Sequence, residues 1–242
     1  MYGHYLATKI ESRLIGPITA FREYVFRDVL PAFGNLNERA CQLASDYYHR
    51  AGSMQAGPDD IDMSDVAEDA QEHAHDWYAM MVSLQQTMRN LLAAGLFHMA
   101  EQQLAMLCRD ARFPVAPPHD TKLAVVNRWY KANLRLDLMT LPSWNILDEL
   151  RLVANVVKHG AGASANELQS MRPELFRNPD LQVFYDKVGE NTILLRRGEV
   201  VAPLAGEDLF VTEADLRRYA EGTERFFIEI ADHLRSRPDE CY

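Results

Sequence analysis

The stretch of residues 65–110, DVAEDAQEHAHDWYAMMVSLQQTMRNLLAAGLFHMAEQQLAMLCRD, decides the fold, because it contains no proline and a single glycine, Gly95. Proline ends helices through its missing amide proton, and glycine weakens them through its backbone freedom. Their near absence predicts one long helix or two nearly collinear ones, the spine of a bundle. Along it, Met80, Met81, Met88, Met99 and Met106 stand with Leu84, Leu91 and Leu92. They are read as core packing, with an adaptable binding groove as the alternative that methionine's flexible thioether offers.

Upstream, Leu6, Ile10, Leu14, Ile18, Phe21, Val25 and Val29 recur every three or four residues, the mark of an amphipathic helix over residues 5–30, which Pro31 and Gly34 end. A second helix is expected over residues 38–49, then a loop around Gly57-Pro58-Asp59-Asp60, with Ser64 as the next N-cap. Downstream, after Pro114, Pro117 and Pro118, the helical pattern resumes over residues 121–140. Pro142-Ser143 opens a further helix running to His159, where Gly160-Ala161-Gly162 stops it. Ser164 and Glu167 have capping-box spacing for a short helix, and Thr212 and Asp215 resemble a second capped start, leading a helix with Leu216, Tyr219, Phe226, Phe227, Ile230 and Leu234 on one face. Within residues 183–211, two β-prone runs flank Arg196-Arg197-Gly198 and read as a small hairpin. The expected fold is therefore mainly α: one domain over residues 1–242, an antiparallel helical bundle with its core in residues 65–160 and a small β-hairpin before the C-terminal helix.

Composition narrows the function classes. With 48% hydrophobic and 25% charged residues, the chain has the balance of a globular protein. Cys41, Cys108 and Cys241 are odd in number and widely spaced, and no basic leader or 18-residue apolar run is present, so a reducing, cytoplasmic setting without membrane insertion is expected. A net charge of −10 opposes long-range attraction to nucleic acid, which leaves only a local basic site for such a partner. No Gly-rich phosphate loop or nucleophile elbow appears, and no cofactor is expected.

The helix before Gly160 is the most informative segment. Placed at about 100° per residue, Asp148, Arg151, Asn155, Lys158 and His159 form one polar stripe, opposite Ile146, Leu150, Val153, Val156 and Val157. Arginine offers a fixed cation with forked donors, histidine exchanges a proton near neutrality, and asparagine orients a neighbour or ligand; together they suit a phosphodiester. A solvated helix face with an ordinary Asp148–Arg151 ion pair is the plainer reading of the same stripe.

The pattern Arg151-x-x-x-Asn155-x-x-Lys158-His159-Gly160 resembles the signature helix of the HEPN superfamily of helical, nucleotide- and RNA-associated domains, with the resemblance covering residues 65–160. It implies an RNA- or nucleotide-binding protein, in some members a metal-independent endoribonuclease of stress or defence systems. It further implies a homodimer whose signature helices share a cleft, and a cognate regulatory protein as a possible partner. In that picture Arg151 and Lys158 hold the scissile phosphate while His159 moves a proton as the ribose 2′-hydroxyl attacks. Asn155 and Asp148 orient, and His98 and Glu101, on the long helix, stand behind. Members that cut RNA place arginine and histidine closer together; here seven residues intervene, and aligning Asn155 puts Ala154 at the arginine position. The competing readings are a non-catalytic dimerisation or interaction protein of the same fold and a bundle with its site elsewhere. For the latter, Glu68, Glu72 and His75 have one half of a di-iron motif, but a solvated acidic face is preferred and no metal is expected. Arg109, Arg112, Lys122, Arg128, Lys131 and Arg135 are read as scattered surface charge rather than a phosphate-contacting patch.

Overall fold

The N-terminal periodicity produces a nearly unbroken helical run in the computed structural model, which describes residues 2–53, 62–109, 116–179 and 208–236. Helix α1 (Tyr2–Lys9) passes through a π-helical turn, Ile10–Ile15, into α2 (Gly16–Tyr24) and through a second, Val25–Val29, to a 3-10 turn, Leu30–Phe33. Leu6, Ile10, Leu14, Ile18 and Val25 are buried along one side. The wide turns keep them in register with the core over a length at which a regular helix drifts. Gly34, with extended backbone, and Asn35, at φ 57°, then reverse the chain.

Helix α3 (Leu36–Ser53) packs on the first part of α4 (Met63–Cys108), a single helix of 46 residues. Asp62, not Ser64, is its cap: the Asp62 carboxylate accepts the Ser64 amide at 2.9 Å. The second half of α4 enters the core through Ala93, Leu96, Phe97, Ala100 and Leu104. Of its methionine and leucine set, Leu92 and Met99 pack against the core as expected, and the exposed members correct that expectation. Met80, Leu84, Leu91 and Met106 are exposed, while Met81, Met88, Leu92 and Met99 are half-buried.

Helix α5 (Leu123–Leu134) stops short of Thr140 because Arg135 adopts a left-handed conformation, φ 46°. Buried Asn127 holds the turn, donating to Asp137 at 2.9 Å and accepting the Leu138 amide at 2.8 Å, and a 3-10 turn, Leu138–Thr140, follows. Helix α6 (Trp144–His159) lies at the centre, in contact with α4, with α7 (Ala163–Met171) and with α8 (Glu213–Arg235). Its start is fixed from α8: Glu229 accepts both the Ser143 amide (3.0 Å) and its hydroxyl (2.7 Å). Leu150, Val153, Val156 and Val157 are fully buried, as the apolar face requires, and Gly160 at φ 71° ends the helix. Ser164 caps nothing; Gly162 precedes α7, and no side-chain cap forms there. The capping box at α8 does form, with Thr212 accepting the Asp215 amide at 3.1 Å and Asp215 accepting the Thr212 amide at 3.2 Å.

The described chain is helical throughout its regular elements, and one hydrophobic cluster runs from Leu6 to Leu234, drawing on every helix except α3 and on α4 from Ala93 onward. The hairpin expected over residues 183–211 lies, up to residue 207, outside the described residues. Its end, residues 208–211, is held by α4 rather than by a described strand: Gln86 donates to the Val211 carbonyl (3.0 Å), Asn90 to that of Leu209 (2.8 Å), and Asn90 Oδ1 accepts the Val211 amide (3.3 Å). Asn90 is fully buried, so Asn90→Ala strands a carbonyl and an amide without water. A loss of about 1–3 kcal/mol in urea unfolding is expected; a change within a few tenths would show that the segment is not held here.

Candidate functional site

The polar stripe of α6 divides into an upper part committed to the fold and a lower part facing solvent. Arg151 Nε donates to Asp148 Oδ1 at 2.7 Å, with both side chains only about 30% exposed or less (29% and 26%). Asn155 donates to Ser164 Oγ on α7 at 3.3 Å, so it orients a neighbouring helix rather than Arg151. Lys158 and His159, one turn further on, are exposed. They stand in the last turn, where cations also complement the helix dipole. Arg151 and His159 are separated by eight helical steps, about 12 Å along the axis, and Arg151 is turned to Asp148.

The companions expected on α4 do lie beside this end. His98 Nδ1 is 3.6 Å from a Glu101 carboxylate oxygen, and Gln102 Nε2 is 3.1 Å from His98 Nε2. Burial pushes the Glu101 carboxyl above its ordinary value, against the opposing charges of His98 and Lys158. Glu101 and Lys158 thus sense one another across the α4–α6 contact. The structure thus pairs His98 with Glu101, which lies within electrostatic reach of Lys158, and pairs Arg151 with Asp148.

A second constellation escaped the sequence reading. Glu149, buried on the core side of α6, accepts from Arg172 and Arg218 and, at 2.6 Å, from the Tyr219 hydroxyl. Arg172, just after α7, also bonds Glu174 and, at 2.7 Å, Asp215. Burial works to raise the Asp215 carboxyl, but its bonds to Thr212 and Arg172 more than offset this and hold it below the usual range. The Tyr219 hydroxyl is pushed up by burial and by Glu149. The signal was present: on the wheel Glu149 falls about 160° from Arg151, between Val153 and Val156, where a carboxylate requires buried cationic partners. The cluster ties α6, the turn after α7 and α8 together.

A cleft of about 780 Å³ opens where the start of α3 meets the first half of α4, with Tyr78, Gln85, Arg89, Asn178 and Phe210 among its walls. Arg89 is offset there by Glu38 among carboxamides, aromatic rings and His75, a lining that fits a neutral polar ligand better than a phosphodiester. Of the basic residues around α5, Lys122 pairs with Asp120 (3.2 Å) and Lys131 with Asp137 (2.6 Å), which dilutes any phosphate-contacting patch. Glu68, Glu72 and His75 are exposed on α4, and among the described residues no group of three or more His, Cys, Asp or Glu side chains converges for a metal. Burial pushes the Cys108 thiol up to about 12, which leaves it unreactive. Among the described residues no helix is long and apolar enough to cross a membrane. In comparisons with known proteins, the chain matches no family model, no curated protein and no solved structure.

Proposed function

We propose that this chain is a HEPN-like helical protein that binds RNA or a nucleotide through the phosphate, at the C-terminal end of α6, without cleaving it. The observation that carries the reading is the exposure of Lys158 and His159 together at that end, on an otherwise acidic protein. Lys158 supplies the charge, and His159 and the Gly160 turn supply a hydrogen-bonding edge. The 12 Å offset of Arg151, and its bond to Asp148, argue against the cleaving arrangement in a single protomer. Cleavage of a stress or defence type requires a second copy to bring its own Arg151 to His159.

A non-catalytic interaction protein is the second reading, favoured by the commitment of Arg151 and Asn155 to bonds within the fold. Fluorescence anisotropy with a labelled single-stranded RNA across a salt series separates the two. Loss of the Lys158 contact in Lys158→Ala is expected to weaken binding and to flatten the slope of log affinity against log salt by about 0.7. Equal binding by wild type and variant at every salt concentration would remove the site from α6.

A further inference from the structure

The cleft between α3 and α4 is independent of the α6 end, since Gln85 on its wall and Glu101 stand sixteen residues apart on one helix, about 24 Å along the axis. Three separate segments build it. Tyr78, Gln85 and Arg89 come from one side of α4, Asn37 and Glu38 from the first turn of α3, and Phe210 from the segment before α8. These walls are fixed by bonds of the fold itself. The Phe210 amide donates to the Leu175 carbonyl at 2.7 Å, while Gln86 and Asn90 hold Val211 and Leu209 on either side of it. Arg39 donates to the Ala32 carbonyl at 3.2 Å and lies over the Trp77 ring, which ties the start of α3 to α4. A cleft of about 780 Å³ with walls held in this way has the size of a small-molecule site and needs little ordering when a ligand enters.

The lining selects the kind of molecule. Glu38 and Arg89 oppose one another in sign, so a ligand with net charge meets a like charge on one wall. Carboxamides reach the cleft from different segments, Asn37 on α3, Gln85 on α4 and Asn178 beyond the 3-10 turn after α7, and each offers donors and an acceptor together. Tyr78 and Gln85 are half-buried, and among the described residues neither has a hydrogen-bond partner. Water meets their polar atoms there, and a ligand hydroxyl can replace it. A nucleobase presents fixed donors and acceptors along one or two edges, which a single carboxamide suffices to read. Polar groups converging from several sides instead match a ring with hydroxyls around its whole rim, each both donor and acceptor, and with apolar faces left for the aromatic side chains. We propose that this cleft binds a neutral sugar, a mono- or disaccharide, with one ring lying against Tyr78 and its hydroxyls held by Asn37, Gln85 and Asn178.

Saturation-transfer NMR on the full chain, followed by titration calorimetry, tests the proposal with glucose, galactose, mannose, N-acetylglucosamine, maltose and cellobiose as probes. At least one of these sugars is expected to bind with a dissociation constant below about 10 mM. Asn37→Ala and Gln85→Ala, on different segments, should each weaken that binding about tenfold or more. Tyr78→Ala should do the same, whereas Tyr78→Phe, which keeps the ring, should stay within about threefold of the wild type. Thermal melting checks that each variant is folded, and exposed Asn37 keeps the test in force should Tyr78→Ala unfold. Adenine, uracil and glucose 6-phosphate serve as contrasting probes and should bind more weakly than the best sugar. Failure of all the sugars to bind below about 10 mM, binding indifferent to both Asn37→Ala and Gln85→Ala, or a contrasting probe that binds as tightly as the best sugar would each overturn it.

Discussion

Arg172→Ala is expected to lower folding stability by about 3–5 kcal/mol, the range for breaking a buried ion pair on one side. Arg172 bonds Glu149, Glu174 and Asp215, and the Glu149 and Asp215 side chains are only 8% and 11% exposed. Without it, two buried carboxylates share Arg218, itself 37% exposed, and the Tyr219 hydroxyl. Arg172→Lys should recover little, because an ammonium cannot fork to three carboxylates at once. Arg218→Ala should cost far less, about 1 kcal/mol, since its exposure screens the pair and Arg172 stays in place. The pH dependence has a definite sign. Asp215 is held below its unfolded value, so its contribution is complete above about pH 4 and is lost as pH falls through the folded value. The gap between wild type and Arg172→Ala in urea unfolding should therefore narrow in acid. A gap under about 1 kcal/mol at neutral pH, or one that does not move with pH, would mean that the cluster does not hold the bundle.

Gly222→Val should also be damaging, though less so, for an opposite reason: too much matter rather than too little charge. A Cβ at Gly222 would lie 2.5 Å from Ile146 Cγ2 and 3.0 Å from Ile146 Cβ. Ile146 is β-branched and cannot swing away, so α6 and α8 must separate. Overpacking of this kind costs about 1–3 kcal/mol, against which the gain from replacing a helical glycine is under about 1. Ile146→Ala in the same chain should restore much of the loss, a coupling of about 1–2 kcal/mol in a double-mutant cycle. Simple additivity of the two substitutions would show that the helices do not meet there. Since α6 carries Lys158 and His159, the single variant should also weaken RNA binding, and the double variant recover it.

Much of the fold was legible because helix signals are local. Three- and four-residue spacing marked α1 through α2, and the scarcity of proline and glycine marked α4 as one long helix or two nearly collinear ones, of which the structure forms the first. Gly160 and the Thr212–Asp215 box marked ends that the structure keeps. Where reading failed, two residues competed for one role or a distant contact decided. Asp62 and Ser64 can both cap a helix, and the first turn lay two residues earlier than expected. Ser164 gave up its capping role to a bond from Asn155, nine residues back, which only the α6–α7 packing creates. The α4 methionines illustrate a different limit. Their periodicity shows that they share a face, but not whether that face meets this chain or another.

The candidate site was legible as a stripe and not as a geometry. Spacing placed Asp148, Arg151, Asn155, Lys158 and His159 on one side of α6, and the structure keeps them there. Their division into a bonded upper part and an open lower part depends on α7 and on the Asp148 carboxylate. Glu149 was the reverse case, an unexpected charge on an apolar face whose partners, Arg172 and Arg218, lie far away in sequence.

The most direct measurement is incubation of the intact protein with mixed single-stranded and structured RNAs in EDTA, following binding and cleavage on the same samples. Binding without cleavage, weakened by Lys158→Ala and unaffected by Arg151→Ala, is the expected result. Metal-independent cleavage abolished by both Arg151→Ala and His159→Ala would contradict it and make the α6 stripe a nuclease site, and the absence of any RNA binding would contradict it from the other side.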